Sequence, residues 1–339
     1  MTTKRKISVA TRVQLVRTAL LAASVAASGS ALAQAAWDMA VAWPPGNFHT
    51  KNAIAYAEAV DKATNGQVKI TVKAGGQLGL KGPESMRAVR DGIVPLAEYN
   101  APQQVGDAPI FGLEALPYLA DDYAQLRTLH NVIRPEYDKV FAKFGQKMLY
   151  MVPWPNQYIF TKTAVARTAD VKDMKVRTTD RNTSDLVKAI GMVPVQMTFA
   201  DMMPALASGA LGGVTTSGAT AVDSRFWEHL KFAYKTNHIW SSNVLAVNLG
   251  AYAKLTPDQR AVMEKVARDL EPGFWKISEE DDSKSVSTVR ERGMTVAPAA
   301  APLHADLQKA GVAMQEDFAK RIGDPVPVLL KDYRSRVKK

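Results

Sequence analysis

A two-lobed α/β fold is predicted from three observations. The chain has 339 residues, more than a single domain of roughly 100–200 residues. Strand-like and helix-like patterns alternate along most of it, the rhythm of α/β layers with mostly parallel strand pairing. A helical pattern from Pro257 to about Arg292 is long for a compact domain and suits an element that runs across two lobes. Apolar residues at 47% and charged residues at 22% are enough for a full soluble core.

The first 33 residues stand apart. Lys4, Arg5, Lys6, Arg12 and Arg17 form a basic front with no acidic residue, residues 19–27 are an apolar run, and Ala31-Leu32-Ala33 offers small residues at a cleavage point. That order is a secretory signal peptide, too short to span a bilayer. Cleavage after Ala33 makes Gln34 the mature N-terminus of an exported protein.

Residues 37–43 then read as a short apolar strand, broken by Pro44-Pro45-Gly46-Asn47. Residues 49–63 carry Ala53, Ile54, Ala57 and Val60 at helical spacing and stop at Asn65-Gly66. Residues 68–72 alternate as a strand, 75–79 form a glycine-rich loop, 83–91 a helix stopped by Gly92, and 93–99 a strand. Residues 121–144 are helical, with a break expected at Pro135. Strands follow at 147–152 and 158–162, separated by the stiff Pro153-Trp154-Pro155-Asn156. Next come a strand at 174–178, a helix at 182–190, a strand at 194–197, a helix at 199–207 and a strand at 244–249. In the helical stretch from Pro257, Pro272-Gly273 is expected to form a kink. The resulting layout is a first lobe at 34–160, a second at 161–242, and a return to the first at 243–270. Residues 271–339 continue the long helix and pack the C-terminal part on the second lobe. Several crossings join the lobes in this reading.

Five of the 43 Lys and Arg lie in the leader, leaving 38 against 33 acids. No basic cluster is interleaved with aromatics, which argues against nucleic acid; the small positive excess favours anionic ligands. Cysteine is absent, which removes disulfides, thiol nucleophiles and thiolate metal sites. His49, His130, His229, His238 and His304 show no metal-ligand spacing, and Ser217 lacks the Gly-x-Ser-x-Gly elbow. The loop at 75–79 lacks the full Gly-x-Gly-x-x-Gly fingerprint of a dinucleotide site. Asp121-Asp122 and Glu279-Glu280-Asp281-Asp282 read as solvated helix faces. Neither a cofactor nor a metal is called for, and no enzymatic chemistry is legible.

The informative stretch is 171–217. It contains Lys175-Val176-Arg177, Gly191-Met192-Val193-Pro194, Phe199 and Leu206-Ala207-Ser208-Gly209. Upstream stand Gly75-Gly76-Gln77-Leu78-Gly79, Glu84 and Asp91-Gly92. In this order the segments resemble the solute receptors of tripartite ATP-independent periplasmic (TRAP) transporters, the DctP-like family, over nearly the whole mature chain. The resemblance implies a periplasmic binding-protein fold with a ligand cleft between the lobes. It further implies hinge closure over a small organic acid and docking on the membrane subunits of a TRAP transporter. A binding protein for an ATP-driven transporter or a sensor, or a secreted hydrolase, are the rival readings.

Arg177 is the expected anchor. An Arg at the carboxyl end of a parallel strand faces the crevice where α/β sheets bind ligands, and its planar fork matches a carboxylate. A structural ion pair with Asp173 or Asp180 is the plain alternative. Relatives often read Val-Val-Asp-Gly-Gln-Glu-Asn-Pro where residues 210–217 stand, so the ligand-binding Asn of that pattern falls at about Thr216, beside Thr215. Dicarboxylate and sialic acid receptors often carry a second Arg upstream, where this chain has Asn156 or Gln157. One cationic anchor favours a monocarboxylate, such as a 2-oxo, hydroxy or cyclic amide acid, because a second buried carboxylate would go uncompensated. Trp43, Asn47, Tyr99, Asn100, Trp154, Phe199, Trp240 and Asn243 are the remaining pocket candidates. Trp43 and Tyr99 are expected from the first lobe, Arg177 and Thr216 from the second.

Overall fold

The computed structural model describes residues 35–337; the leader read at 1–33 and its cleavage point lie outside the described residues. Two sheets organise the chain. The first is built from β1 (Ala35–Val41), β2 (Val68–Lys73), β3 (Leu96–Asn100), β4 (Gln146–Pro153) and β10 (Ser242–Asn248), in the order β2-β1-β3-β10-β4. The second contains β5 (Gln157–Thr161), β6 (Lys175–Thr178), β7 (Val193–Gln196), β8 (Gly213–Ser217), β9 (Phe232–Lys235) and β11 (Thr295–Pro298), in the order β11-β9-β5-β8-β6-β7.

Pairing is mixed, where the sequence suggested mostly parallel strands. In the first sheet β1 runs parallel to β2 and β3, while β10 is antiparallel to both β3 and β4. In the second, β6 is parallel to β7 and β8, β9 is parallel to β11, and β5 is antiparallel to β8 and β9. The reversed strand in each sheet is the one that arrives from the other lobe. It enters at the cleft end, where the home strands finish, and so must run against them.

The helices cover the sheets in the layered manner of α/β folds. The first lobe carries α1 (Phe48–Ala63), α2 (Ser85–Arg90), α3 (Tyr123–Lys143) and α7 (Leu249–Ala253). In α1, Ala53, Tyr56, Ala57 and Val60 form the buried stripe at helical spacing, and the Asn47 side chain caps the N-terminus by accepting from His49 N. The second lobe carries α4 (Arg181–Ala189), α5 (Phe199–Ala207), α6 (Gly218–Asp223) and α9 (Ala301–Ile322). Between them runs α8 (Pro257–Glu291), 35 residues long, or roughly 50 Å at 1.5 Å per residue. Thr256 and Gln259 cap it reciprocally. Met263, Ala267, Phe274 and Trp275 from its first half lie in the core of the first lobe, and Val289 near its end lies in the core of the second.

Both prolines expected to interrupt helices are carried inside them, Pro135 in α3 and Pro272 in α8. Each lies on the exposed face, as do Asn131 and Arg268 four residues earlier, so the backbone acceptors that lose a partner lie on the water side. The acidic run at 279–282 is not a uniformly solvated face: Asp282 is 7% exposed and belongs to the buried stripe of α8. The lobes join at β4→β5, at β9→β10, through α8 and, near the C-terminus, between residues 301–322 and 326–337. The first crossing enters β5 at Gln157, ahead of the 160/161 boundary read from sequence. The C-terminal part divides. Helix α9 packs on α4, but α10 (Val326–Val337) packs on α3 of the first lobe, with Val326, Leu330 and Tyr333 in its core. Tyr333 Oη donates to Leu119 O at 2.9 Å, which satisfies the phenol where it is buried.

Candidate functional site

Arg177 sits near the carboxyl end of β6 and is 2% exposed. Its Nε donates to Met197 O at 3.2 Å, and its own carbonyl accepts from Thr215 Oγ1 at 3.0 Å. Among the described residues no carboxylate forms an ion pair with the guanidinium. Asp180 is spent otherwise: it caps α4 by accepting from Thr183 N at 3.0 Å and Thr183 Oγ1 at 2.7 Å, and it also accepts from Thr179 Oγ1 at 2.6 Å. Asp173 stands in a left-handed turn at φ 59°. Burial pulls the Arg177 pKa down to about 10, with Asp180 opposing from a distance; the group remains a cation at pH 7. A buried cation left unanswered by the protein is a demand for an anion.

Around it lies a cavity of about 30 Å³ between the lobes. Trp43, Asn100 and Gln103 line it from the first lobe; Arg177, Thr179, Phe199, Thr216, Ser217 and Thr220 line it from the second. Trp154, Gln157 and Ser241 line it from the crossings. Trp43 meets Trp154 edge-on at 4.9 Å and Phe199 at 6.0 Å with an interplanar angle of 88°, making an aromatic box beside the guanidinium. Three polar atoms of this wall are buried and have no hydrogen-bond partner: Trp43 Nε1, Asn100 Oδ1 and Gln103 Oε1. By contrast, Trp154 Nε1 is engaged, donating to Asn243 Oδ1 at 2.8 Å. Behind the box, His49 Nδ1 lies 2.9 Å from Glu98 Oε1, both side chains fully buried, and Asn243 Nδ2 donates to the same oxygen at 3.3 Å.

The lobes touch directly at the rim. Asn47 Nδ2 donates to Asp223 Oδ2 at 2.6 Å, and Lys81 Nζ lies 2.9 Å from Asp201 Oδ1. Deeper, Asn182 Nδ2 donates to Gly112 O at 2.8 Å. These contacts define a closed arrangement, from which a solute enters or leaves only when the lobes part. Gly82 shows how tightly the first-lobe loop fits: at φ 122°, a Cβ there would stand 2.7 Å from Gln103 Oε1.

Of the residues singled out in the sequence, Arg177, Thr216, Phe199, Gln157, Trp154, Asn100 and Trp43 come together around this cavity. Six others lie elsewhere, among them Asn243, which is engaged behind the box with Trp154 and Glu98. Tyr99 points to the face of β3 opposite Asn100, because neighbours on a strand alternate, and donates to Gln146 Oε1 at 2.9 Å in the core. Thr215 faces away from Thr216 for the same reason and buttresses the backbone of Arg177. Trp240 packs on Tyr123 at 4.8 Å and donates from Nε1 to Ala120 O at 2.8 Å. Asn47 is a helix cap and rim contact. Asn156 turns to α8, donating from Nδ2 to Asp282 Oδ2 at 3.0 Å. Sequence reasoning missed Gln103, Thr179, Ser217, Thr220 and Ser241. Thr179 was within reach, two residues beyond Arg177 and hence on the same face of the chain. Ser217 and Thr220 also carried a signal, since a Ser three residues before a Thr at a helix start reads as a cap. Gln103, in a single helical turn after β3, carried none.

The profile of the bacterial extracellular solute-binding proteins of family 7, DctP, matches residues 39–321. Among solved structures, a TRAP solute-binding protein from an unidentified marine microbe, specific for pyroglutamate, is 31% identical with a TM-score of 0.86 over 89% of this chain and 99% of that one. DctP7 of Bordetella pertussis, a receptor binding pyroglutamic acid, is 29% identical with the same TM-score over 88% of this chain and 99% of that one. The C4-dicarboxylate-binding periplasmic protein of Rhodobacter capsulatus is 26% identical over 80% of this chain and 83% of that protein. With the two-lobed fold and an unanswered cation between the lobes, this match is decisive: the chain belongs to the family 7 bacterial extracellular solute-binding proteins, the DctP-like receptors of TRAP transporters.

Proposed function

We propose that the ligand is a compact monocarboxylate bearing a ring amide, of the pyroglutamate kind, bound without being turned over and passed to the membrane subunits of a TRAP transporter. One observation carries the reading: the cavity pairs a single unanswered cation, Arg177, with one free donor and two free acceptors on its opposite wall. The carboxylate answers Arg177. A lactam carbonyl can accept from Trp43 Nε1, and a lactam N–H can donate to Asn100 Oδ1 or Gln103 Oε1. Apolar ring atoms suit the faces of Trp43, Trp154 and Phe199. Among the described residues no Lys and no second Arg lines the cavity, so a second carboxylate would be buried without a partner. The names of the two structural relatives above, at 29–31% identity, support the same class.

The test is thermal unfolding of residues 34–339 with L-pyroglutamate, L-lactate, pyruvate and succinate. A ligand at 100 times its Kd adds about 2.7 kcal/mol of stability, a shift readily seen. The largest shift is expected with pyroglutamate, and it should vanish in Arg177→Ala. A best response to succinate would overturn the monocarboxylate reading, and no response to any acid would overturn the class of ligand. Recovery of the bound acid unchanged after long incubation checks the absence of turnover. We also propose that residues 1–33 are removed on export to the periplasm; intact-mass measurement of the secreted protein should give a chain beginning at Gln34.

A further inference from the structure

We propose that Asp282 is a positioning residue for ligand capture: from α8 it fastens both strand crossings between the lobes and thereby sets the balance between open and closed receptor. The inference concerns the hinge and holds whichever acid is bound.

Three of the four connections between the lobes converge on this one carboxylate. Asp282 Oδ1 accepts from Tyr158 Oη at 3.2 Å, and Oδ2 accepts from Asn156 Nδ2 at 3.0 Å. Both donors belong to the β4→β5 crossing and the strand it enters. Lys235 Nζ lies 3.4 Å from Oδ2, and Lys235 is the last residue of β9, where the β9→β10 crossing begins. Asp282 itself is part of α8, the third connection. One turn earlier on the same face, Ser278 Oγ donates to Pro153 O at 2.7 Å, where the first crossing leaves β4. Burial and the facing carboxylate push the Tyr158 phenol far above its ordinary range, so that group is a donor at any physiological pH.

The residue held between these ties belongs to the ligand cavity. Gln157 lies between Asn156 and Tyr158, and while its two neighbours turn to Asp282, its own side chain lines the cavity. Its carbonyl is where the crossings meet: it accepts from Asn237 N at 3.0 Å, Thr236 N at 3.3 Å and Thr236 Oγ1 at 3.2 Å. The two crossings are thus knotted at Gln157 and clamped to the long helix by Asp282. A 7% exposed carboxylate with three partners is a costly group to retain, and the partners it has chosen are the segments whose dihedral angles must change when the lobes part.

The chain has no cysteine, so Gln77→Cys and Ser208→Cys, exposed positions one on each lobe, can carry spin labels on an otherwise unlabelled protein. Distance distributions are measured in the parent, in Asp282→Ala and in Asp282→Asn combined with Asn156→Asp, which exchanges donor and acceptor across the contact. The same proteins are mixed rapidly with L-pyroglutamate to read kon and koff. Asp282→Ala is expected to lengthen and broaden the inter-lobe distance and to raise koff on the order of tenfold, with kon changed much less, for the loss of charge-assisted bonds. The exchanged pair is expected to return both toward the parent. A distance distribution superimposable on the parent's, in an Asp282→Ala protein that melts cooperatively, would overturn the proposal whether or not pyroglutamate binds. So would failure of the exchanged pair to recover any of the distance change. If Asp282→Ala does not fold, Asn156→Ala and Lys235→Met remove the partners one at a time and must show the same lengthening.

Discussion

In the closed arrangement the Arg177 guanidinium is held out of water beside Thr216 and Phe199, and among the described residues no carboxylate answers it. Arg177→Lys keeps the charge but loses the planar fork, and ligand affinity should fall roughly 100-fold, about 3 kcal/mol, by isothermal titration. Arg177→Met should abolish binding while changing the Tm of the free protein little, because the guanidinium is hydrated once the lobes part and no partner within the chain is lost. A lower Tm for the unliganded Arg177→Met protein would show that the charge is answered by something within the chain. Trp43→Phe keeps the ring and removes the free indole donor; binding should weaken roughly tenfold with Tm nearly unchanged. Arg177 was legible because its residue type and its place at a strand end have one chemical use in common. Tyr99 and Trp240 were not legible in this way. An aromatic on a central strand is equally at home on either face, and a one-residue difference in register decides between cavity and core. Asp282 was misread because its partners Asn156 and Tyr158 are more than a hundred residues away in sequence, and nothing in its own neighbourhood distinguishes it from Glu279 and Glu280.

Where α6 packs on α8, two half-buried carboxylates, Asp223 and Asp281, lie near each other. Burial pushes the Asp223 pKa up to about 6, with Asp281 adding repulsion and Asn47 opposing by its hydrogen bond. Asp281 is raised in the same direction, also by burial. For an acid whose folded value is raised, the protonated form is favoured in the closed, folded protein. The stabilisation is therefore full below the unfolded value near 4 and is lost as pH rises through about 6. The Tm should climb as pH is lowered from 7 toward 5, before general acid denaturation intervenes. Asp223→Asn, which keeps an acceptor for Asn47, should raise Tm at pH 7 and flatten that climb; an unchanged pH profile would mean that Asp223 titrates as an ordinary surface acid. Helix α10 gives an element-scale test of a different kind. Leu330 is 3% exposed in the core of the first lobe, and Leu330→Ala should cost roughly 2–5 kcal/mol in urea unfolding. The strong strand and helix patterns of residues 35–210 were readable because most elements there have their own period and their own stop signal. Short strands such as β9 and β11, four residues each, have too few positions to show a period, and α10 could not be assigned to a lobe from an apolar face alone.

At the scale of the whole molecule, the closed arrangement rests on few direct lobe contacts. The ion pair between Lys81 and Asp201 has both side chains about half exposed and contributes little once salt screens it. The ligand, bridging Arg177 to Trp43, Asn100 and Gln103, is what can hold the lobes together, since closure is favoured only by contacts made better in that state. The two-lobed plan itself was visible in the chain's length and in its long helix, whereas the last crossing, from α9 to α10, was not, because an apolar helix face does not say which lobe it will meet. The strand crossings have a further consequence for how the protein comes into being. The first sheet needs β10, which ends at Asn248, and the second needs β11, which ends at Pro298. Neither lobe can be completed by a nascent chain until most of the polypeptide has been made, and the first half has no finished sheet on which to collapse. Pairing between strands this far apart in the chain raises the contact order and slows folding; the late return strands act as a built-in delay, and the two sheets are complete only when the far end arrives.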